Sequence, residues 1–301
     1  MPSDSFTALI DMIPENFADP SADFHEVRAT MAPFHDHPTG DDLRIEIRDI
    51  RGVRTGWYTY DHHAGDPCVA LHYHGGAFVS CPLDVYHFYG ELIALALDIP
   101  VVMPDYRLAP ENPFPAAPED CLAAYRGLLE LGVEPDNIVV LGESCGGGLA
   151  VDALLQARDA GLPMPACFVS LTGWFDLNVT RASAGKDPFL TPEWMRNRGM
   201  DFTAGQLDLD DPRISVCNAD LAGLPHLYLQ VGQFDTVAPG ALRLAERATL
   251  AGVDVSLESW PGMVQGWHGL ANAQVPEALQ AWENIKHFVD WKLRRSQSAN
   301  R

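Results

Sequence analysis

Hydrophobic and polar positions repeat along the chain with two different periods. Residues 43–60 alternate at every second position and predict two antiparallel strands. Short apolar runs predict further strands at 69–74, 100–106, 137–142, 167–172, 227–232 and 254–260. Helical periodicity occupies the intervals at 84–97, 118–131, 146–160, 239–251 and 276–294. Buried strands that alternate with helices predict an α/β fold, with a mostly parallel central sheet and helices on both faces.

Two segments do not follow this strand–helix alternation. The first forty residues combine helix-like pieces with four prolines, and residues 174–222 have weak periodicity and many aromatic residues. A long excursion between two sheet strands is typical of a lid. We therefore expect an N-terminal cap segment at 1–40 and a main domain at 41–301, with a cap or lid excursion at 174–222.

Charge excludes some classes of partner. The chain has 301 residues, of which 41 are acidic and 20 basic, so its formal net charge is −21. Such a surface repels phosphate backbones and anionic lipids, so we expect no nucleic-acid or membrane partner. A saline habitat would favour the same composition. No apolar run is long enough to span a bilayer, and the N-terminus does not resemble a secretory signal, so we expect a cytoplasmic protein.

The six cysteines are scattered and form no CxxC pair. Each has apolar neighbours in the sequence, which favours buried free thiols over disulfides or a zinc site. The eleven histidines show no ligand spacing that fits the predicted fold. We therefore expect no metal and no cofactor.

The strongest chemical motif is Gly142-Glu143-Ser144-Cys145-Gly146. It follows an apolar strand and begins a helix, which is the context of a nucleophile elbow. Ser144 is therefore the predicted nucleophile, and a glycine-rich turn with an incidental serine is the alternative. We expect the Cys145 thiol to pack while its backbone N–H faces the reacting oxygen.

A second motif, Tyr73-His74-Gly75-Gly76-Ala77, follows the strand at 69–74. Paired glycines let a backbone approach a substrate oxygen, and their N–H groups can stabilise an oxyanion. Gly75, Gly76, Ala77 and Cys145 are therefore the predicted oxyanion hole. We expect His74 to brace this loop.

Three phrases in this order, HGGA, DYRLAPENPFPAA and GESCGGG, resemble the bacterial hormone-sensitive-lipase-like esterases, whose usual forms are HGGG and GDSAGG. The resemblance extends over residues 65–290. It implies an α/β-hydrolase fold with a helical cap. It also implies hydrolysis of short-chain esters or lactones through an acyl-enzyme, without metal or cofactor. The chain is similar to members that open monoterpene lactones.

The triad order Ser, Asp, His predicts Asp235 as the acid, because it follows the strand at 227–232. A helix cap is the alternative role of Asp235. The base departs from the family pattern. Where related proteins read YPGMxHGF, this chain reads WPGMVQGWHGL, so Gln265 takes the expected place of the histidine and His268 lies three residues later.

Two interpretations follow. In one, the loop is rebuilt so that His268 is the base of a serine hydrolase with Ser144 and Asp235. In the other, the base is lost, because a glutamine amide cannot accept the serine proton, and the protein binds a small apolar ligand. A related plant receptor family lacks the same histidine and binds its ligand without hydrolysis. A lyase on the same fold is a third possibility.

We adopt the hydrolase as the prediction, with a small ester or lactone as the substrate. The predicted pocket residues are Phe78, Trp174, Trp194, Gln265 and Trp267. The amphipathic helix at 276–294 is compatible with a homodimer and equally with packing on its own sheet.

Overall fold

The computed structural model describes residues 2–14, 17–35, 37–181 and 187–299. This part of the chain contains eight strands: β1 (Arg44–Ile50), β2 (Val53–Thr59), β3 (Val69–Tyr73), β4 (Val101–Pro104), β5 (Ile138–Glu143), β6 (Cys167–Leu171), β7 (Leu227–Gly232) and β8 (Val255–Trp260). It also contains eight α-helices: α1 (Asp4–Ile10), α2 (Phe24–His35), α3 (His87–Leu97), α4 (Ala116–Glu130), α5 (Cys145–Asp159), α6 (Pro192–Thr203), α7 (Ala238–Leu250) and α8 (Pro276–Ala299).

The strands form one sheet in the order β1-β2-β4-β3-β5-β6-β7-β8. β2 is antiparallel to β1 and to β4, and the pairs from β4 through β8 are parallel. The carboxyl ends of β3, β5, β6, β7 and β8 therefore meet at one edge, where open α/β sheets bind ligands. The predicted α/β fold and the antiparallel opening pair are confirmed.

Both faces of the sheet are buried, and the side chains of β5 show how. Val140 packs into the apolar cluster that contains side chains of α4, α5 and α7. Its neighbours Val139 and Leu141 pack into the opposite cluster, with side chains of α1, α3 and α8. Because successive strand residues point to opposite faces, a strand covered on both sides is apolar along most of its length, as β5 is from Ile138 to Leu141.

The segments outside the strand–helix alternation lie against each other. In α6, Arg198 donates to the carbonyl of Ala22 at 2.9 Å and Asn197 donates to that of Pro20 at 2.8 Å. Helix α1 is tied to α8, because the N–H and hydroxyl of Ser3 donate to the carboxylate of Glu277 at 2.5 and 2.8 Å. Residues 182–186 of the excursion lie outside the described residues. The boundaries of the predicted cap stay a prediction.

None of the described helices is both long and apolar enough to cross a membrane.

All six cysteines are buried, and Cys81, Cys121, Cys145, Cys167 and Cys217 are free thiols, as predicted.

Candidate active site

Ser144 is the single residue that connects β5 to α5. β5 ends at Glu143 and α5 begins at Cys145, so Ser144 turns the chain with φ 51° and ψ −123°, a conformation that L residues rarely adopt. The end of β6 and the loop after it hold Ser144 on both sides. Its N–H donates to the carbonyl of Leu171 at 3.1 Å, and its carbonyl accepts from the N–H of Trp174 at 2.7 Å. This is the geometry of a nucleophile elbow.

The elbow is pressed against the end of β3. A Cβ on Gly146 would overlap the carbonyl oxygen of Tyr73 and lie 2.5 Å from that of His74. Only glycine lets the first turn of α5 approach the β3 loop so closely. His74 braces that loop as predicted, since its ring stacks on Tyr106 at 4.1 Å and its Nδ1 lies 2.7 Å from the carbonyl of Gly75.

The β3 loop then runs through three successive residues with positive φ, Gly76 at 109°, Ala77 at 53° and Phe78 at 68°. Within the described residues, the N–H groups of Gly76 and Cys145 donate to no other group. The N–H groups of Ala77 and Phe78 face the Cys145 sulfur, the latter at 3.3 Å. The N–H of Gly75 donates to Glu143 at 2.9 Å. Of the predicted oxyanion hole, Gly76 and Cys145 therefore offer the unengaged donors.

A cavity of about 1040 Å³ opens beside Ser144. Next to the serine, its wall is formed by Gly76, Ala77, Glu143, Gln265 and Gly266. The N-terminal segment and the excursion cover it with apolar side chains, namely Leu9, Phe17, Met31, Phe189, Leu190, Trp194 and Met195. The cavity continues outward between α3 and α8. Its size lies at the upper end of the usual range for small-molecule sites.

Two of the five predicted pocket residues line this cavity, Trp194 and Gln265. The other three belong to the core, which corrects the prediction. Phe78 stacks on Phe202 at 3.9 Å, and Trp174 donates its indole N–H to the carbonyl of Asp176. Trp267 packs on the His268 ring at 4.0 Å and is fully buried. These rings are near the motifs in sequence but point into the layers beside the sheet.

Gln265 lies in the cavity wall after β8. Its Nε2 donates to the carbonyl of Thr172 at 3.3 Å, and the next N–H, of Gly266, donates to the Thr172 hydroxyl at 3.2 Å. Its Oε1 is buried and accepts no hydrogen bond from the described residues. The amide is thus fixed to the same β6 loop that holds Ser144. It is a hydrogen-bonding group with no useful basicity.

His268 lies elsewhere, so the structure does not bring it to Ser144 or Asp235. Gly266 adopts the left-handed conformation, and a 3-10 helix at Trp267–Ala273 then turns His268 under the sheet. Its Nε2 donates to the amide oxygen of Gln230 at 2.8 Å. Burial lowers its pKa to about 3. The prediction that His268 is the base is corrected, because its donor nitrogen is engaged in the core and the residue does not line the cavity.

Asp235 is at the predicted position after β7 but has an acidic neighbour instead of an imidazole. Its Oδ1 accepts the N–H of Val237 at 3.0 Å, while its Oδ2 is buried without a partner among the described residues. Burial raises the pKa of Asp235 well above its usual value, and the nearby Asp187 carboxylate raises it further. The acid of the predicted triad is therefore present without its cationic partner.

Asp187 is a site residue that the sequence did not reveal. Its carboxylate accepts the N–H groups of Phe189 at 2.9 Å and of Thr236 at 3.0 Å, and also a backbone hydrogen bond from Gln265. Burial nevertheless raises its pKa to about 6. It links the excursion to the loops after β7 and β8. An aspartate in a segment without periodicity gives no signal of this role.

Glu143 is the second residue missed, although it stands inside the GxSxG motif. Its carboxylate is packed against the Cα of Gly75, where a Cβ would lie 2.7 Å from its carboxyl carbon. Oε2 accepts from the N–H of Gly75 and, through a short contact, from the hydroxyl of Tyr86. Burial raises the pKa of Glu143, and these two hydrogen bonds oppose that shift.

One cluster of metal-ligand residue types lies away from the cavity wall. His62, His63 and Asp98 bring a ligand atom each within 4.8 Å of one another. The N–H of Tyr60 donates to Nδ1 of His63 at 3.3 Å, which places the ring proton on Nε2, the nitrogen that faces Asp98. His62 Nε2 lies 3.0 Å from Asp98 Oδ1, whereas His63 Nε2 lies 3.7 Å from it and forms no hydrogen bond with the described residues.

Comparison with known proteins agrees with this geometry. A family model described as the alpha/beta hydrolase fold matches residues 70–269. An acetyl-hydrolase of Streptomyces hygroscopicus is 37% identical over 73% of this chain and 74% of its own length. An esterase of Acinetobacter venetianus is 30% identical over 81% of this chain and 82% of its own length.

Solved structures agree as well. An esterase from the bacterial hormone-sensitive lipase family superposes with a TM-score of 0.89 and 35% identity, over 97% of this chain and 99% of the other. An esterase/lipase from an uncultured bacterium superposes with a TM-score of 0.89 and 30% identity, over 97% of this chain and 99% of the other. Fold, motif order and these likenesses agree, and the chain belongs to the α/β-hydrolase family, among the bacterial hormone-sensitive-lipase-like esterases.

Proposed function

We propose that the protein hydrolyses carboxylic esters with Ser144 as the nucleophile. The observation that carries the proposal is the strained Ser144, held by the β6 loop on the wall of the cavity. The unengaged N–H groups of Gly76 and Cys145 lie on the two loops that flank it. A carbonyl carbon attacked by Ser144 would develop negative charge on its oxygen, which such donors stabilise.

The cavity favours an uncharged, apolar substrate. The side chains that cover the cavity are apolar, and the polar side chains beside Ser144 in its wall are those of Gln265 and Glu143. A net charge of −21 opposes anionic substrates. We therefore propose esters of apolar acids or alcohols, lactones included, as the substrate class.

Turnover by this site is expected to be slow. Among the histidines that the structure describes, His37 alone lines the cavity, and its ring packs edge-on against Phe88 of α3. Gln265 stands where the imidazole of a triad belongs. A serine hydrolase that has lost one triad member retains about 10³–10⁴-fold catalysis over water, from its oxyanion hole and substrate binding. We expect activity of that order.

The test is hydrolysis of p-nitrophenyl butyrate, together with covalent labelling by a fluorophosphonate followed by intact-mass spectrometry. The parent should show slow hydrolysis and a single adduct, and Ser144→Ala should lose both. Ser259→Ala, which alters an exposed serine of β8, is the matched control and should behave like the parent. Hydrolysis that survives in Ser144→Ala would refute the proposed nucleophile.

A second candidate function is ligand binding without turnover. It is favoured by the buried Gln265 Oε1, an acceptor without a partner among the described residues that a ligand hydroxyl could satisfy. Under this alternative, a non-hydrolysable apolar ligand would raise the melting temperature, while p-nitrophenyl butyrate would be hydrolysed no faster than by Ser144→Ala.

A further inference from the structure

Glu143 is the carboxylate that borders the nucleophile. It precedes Ser144 in the chain, is nine-tenths buried and lies on the same cavity wall. The two other glutamates on that wall, Glu91 and Glu283, belong to α3 and α8. Glu91 is already occupied, since its Oε1 accepts from the N–H of Gly40 at 2.8 Å and the hydroxyl of Tyr60 at 3.1 Å.

The two oxygens of Glu143 differ. Oε2 is held by the Gly75 N–H and the Tyr86 hydroxyl, which fix the carboxylate in place. Oε1 accepts no hydrogen bond from the residues that the structure describes. It lies 3.9 Å from the point where a Cβ on Gly266 would stand. The carboxylate thus lies between the oxyanion loop and the loop of residues 265–266, with one oxygen available as an acceptor.

The surroundings leave this carboxylate basic. The titratable groups that interact with it are Tyr86 and Tyr89 of the α3 region, Cys81 of the preceding loop and Cys145 of α5. Burial raises the pKa of all four, so each is neutral near pH 7. None of them is a cation that would pair with Glu143 and lower its proton affinity. A buried carboxylate without a counter-ion has a pKa closer to neutral, which suits a general base.

The geometry points to Glu143 as the general base that replaces the missing imidazole. Its Oε1 acts through a bound water on the Ser144 hydroxyl in acylation, and on the attacking water in hydrolysis of the acyl-enzyme. This inference rests on the proposed function of Ser144. It assigns a catalytic role to the residue before the nucleophile. The Gly75 and Tyr86 contacts then keep the base oriented.

The proton balance of this route is simple. In acylation, the Ser144 proton passes through a bound water to Glu143, the Oγ–C bond forms, and the alcohol leaves with the proton that Glu143 returns. In deacylation, Glu143 takes a proton from the attacking water, whose oxygen bonds to the acyl carbon. The C–Oγ bond breaks and Ser144 recovers the proton. The products are the acid and the alcohol, and Glu143 ends as the carboxylate.

The experiment compares Glu143→Gln in two backgrounds, the parent and Gln265→His. In the parent, we expect kcat/KM for p-nitrophenyl butyrate to fall by about 10²-fold or more, the size of a general-base contribution. In Gln265→His, the imidazole supplies the base, so the same substitution should cost less than about tenfold. If Glu143 only holds Gly75 in place, the loss will be equal in both backgrounds, which would overturn the inference.

The pH profile gives an independent readout. Removing the Tyr86 hydroxyl with Tyr86→Phe takes a hydrogen bond from the carboxylate, which raises its pKa. The acidic limb of kcat/KM should therefore move to higher pH in the parent and stay in place in Gln265→His. If the acidic limb of kcat/KM does not move in the parent, Glu143 is not the general base. Glu143→Asp, which keeps the carboxylate, should retain more activity than Glu143→Gln.

The two proposals fail in different ways. If the parent has no Ser144-dependent hydrolysis but Gln265→His gains it, the nucleophile stands and Glu143 is not a base. If neither protein hydrolyses the ester and neither is labelled at Ser144, the proposed function itself is wrong. Thermal unfolding of each variant shows whether it is folded, and Glu143→Asp serves as the second variant should Glu143→Gln fail to fold.

Discussion

The two halves of the proposed site differ in how completely their buried side-chain oxygens are satisfied. In the nucleophile half, Ser144 is hydrogen-bonded on both sides and Glu143 accepts two donors. In the acid–base half, which contains Asp235 and Gln265, Asp235 Oδ2 and Gln265 Oε1 are both buried without a partner in the described part of the chain. Buried polar atoms are normally paired, so the second half is where the site is incomplete.

The difference shows what each half depends on. The elbow and the proposed oxyanion loop are built from backbone groups. Glycines permit the close approach of the two segments, and every residue except proline provides an N–H. The acid–base half depends on one side chain, because only an imidazole can both take the serine proton and pair with Asp235. Glutamine in place of histidine at position 265 therefore removes the base from that half and leaves the other half unchanged.

The largest expected effect comes from restoring the imidazole. Gln265→His should raise kcat/KM for p-nitrophenyl butyrate by about 10³-fold, because it places a base on the cavity wall beside Ser144 and offers Asp235 a cationic partner. Steady-state hydrolysis measures the gain. Gln265→Asn changes the side chain without adding a base and should show no gain.

Within that restored protein, Asp235→Asn should remove most of the gain, because the wrong imidazole tautomer would face Ser144. A folded Gln265→His variant with no increase in rate would mean that the acid–base half is lost in more than one residue.

The next largest effect concerns the intact half. Gly146→Ala forces a Cβ onto the carbonyls of Tyr73 and His74, so the first turn of α5 must move away from the oxyanion loop. We expect fluorophosphonate labelling of Ser144 to slow by about 10²-fold, the lower range for a lost oxyanion donor. Gly132→Ala also substitutes a glycine, at φ 85° after α4, where a Cβ meets no atom within 4 Å. The strained backbone should lower stability, but the labelling rate of the folded variant should equal that of the parent.

His268 should affect stability instead of catalysis. His268→Ala removes the hydrogen bond to Gln230 and leaves a cavity beside Trp267, so the free energy of unfolding should fall by about 2–4 kcal/mol. Urea denaturation measures this loss. The hydrolysis rate of the folded protein should change less than about tenfold. A loss of about 10³-fold in a protein of unchanged stability would restore His268 as the base.

The smallest effect is the pH dependence that the Asp187–Asp235 pair imposes. Both folded pKa values are raised, with that of Asp187 at about 6, so the folded state keeps protons that the unfolded chain releases near pH 4. Stability from this pair should therefore be present at low pH and fall as the pH rises from about 4 through 6.

Asp235→Asn removes one of the two acids and should flatten the dependence of stability on pH. The free energy of unfolding should rise by on the order of 1–2 kcal/mol at pH 7. Urea denaturation of the variant and the parent between about pH 4 and 8 checks it. Parallel curves for the two proteins would show that folding does not raise the pKa of Asp235.

Much of this site could be predicted from the sequence, because its motifs are formed by residues that are close together in the chain. The apolar run before Ser144 and the glycines after it specify strand, turn and helix within ten residues. Placing Asp235 needed only the end of a strand. These features depend on chain neighbours, which a single sequence displays directly.

The remainder depends on contacts that sequence does not display. The direction of His268 is decided by the left-handed Gly266 and the 3-10 helix that follows it. Asp187 is recruited by backbone donors from loops about fifty and eighty residues away in the chain. Phe78 and Trp267 adjoin the motifs in sequence but pack into opposite layers of the core. Adjacency in the chain is a poor guide to which side of a sheet a ring will occupy.

The six buried cysteines also determine how this protein can be labelled with a fluorescent probe. Burial raises the pKa of Cys81, Cys121, Cys145, Cys167 and Cys217, so thiol reagents find little thiolate on the folded protein. A cysteine placed at Leu95, which lines the outer cavity and is 60% exposed, would then be the preferred target of a maleimide dye. The native chain thus offers a background in which a single fluorophore at the cavity mouth could report ligand entry in real time.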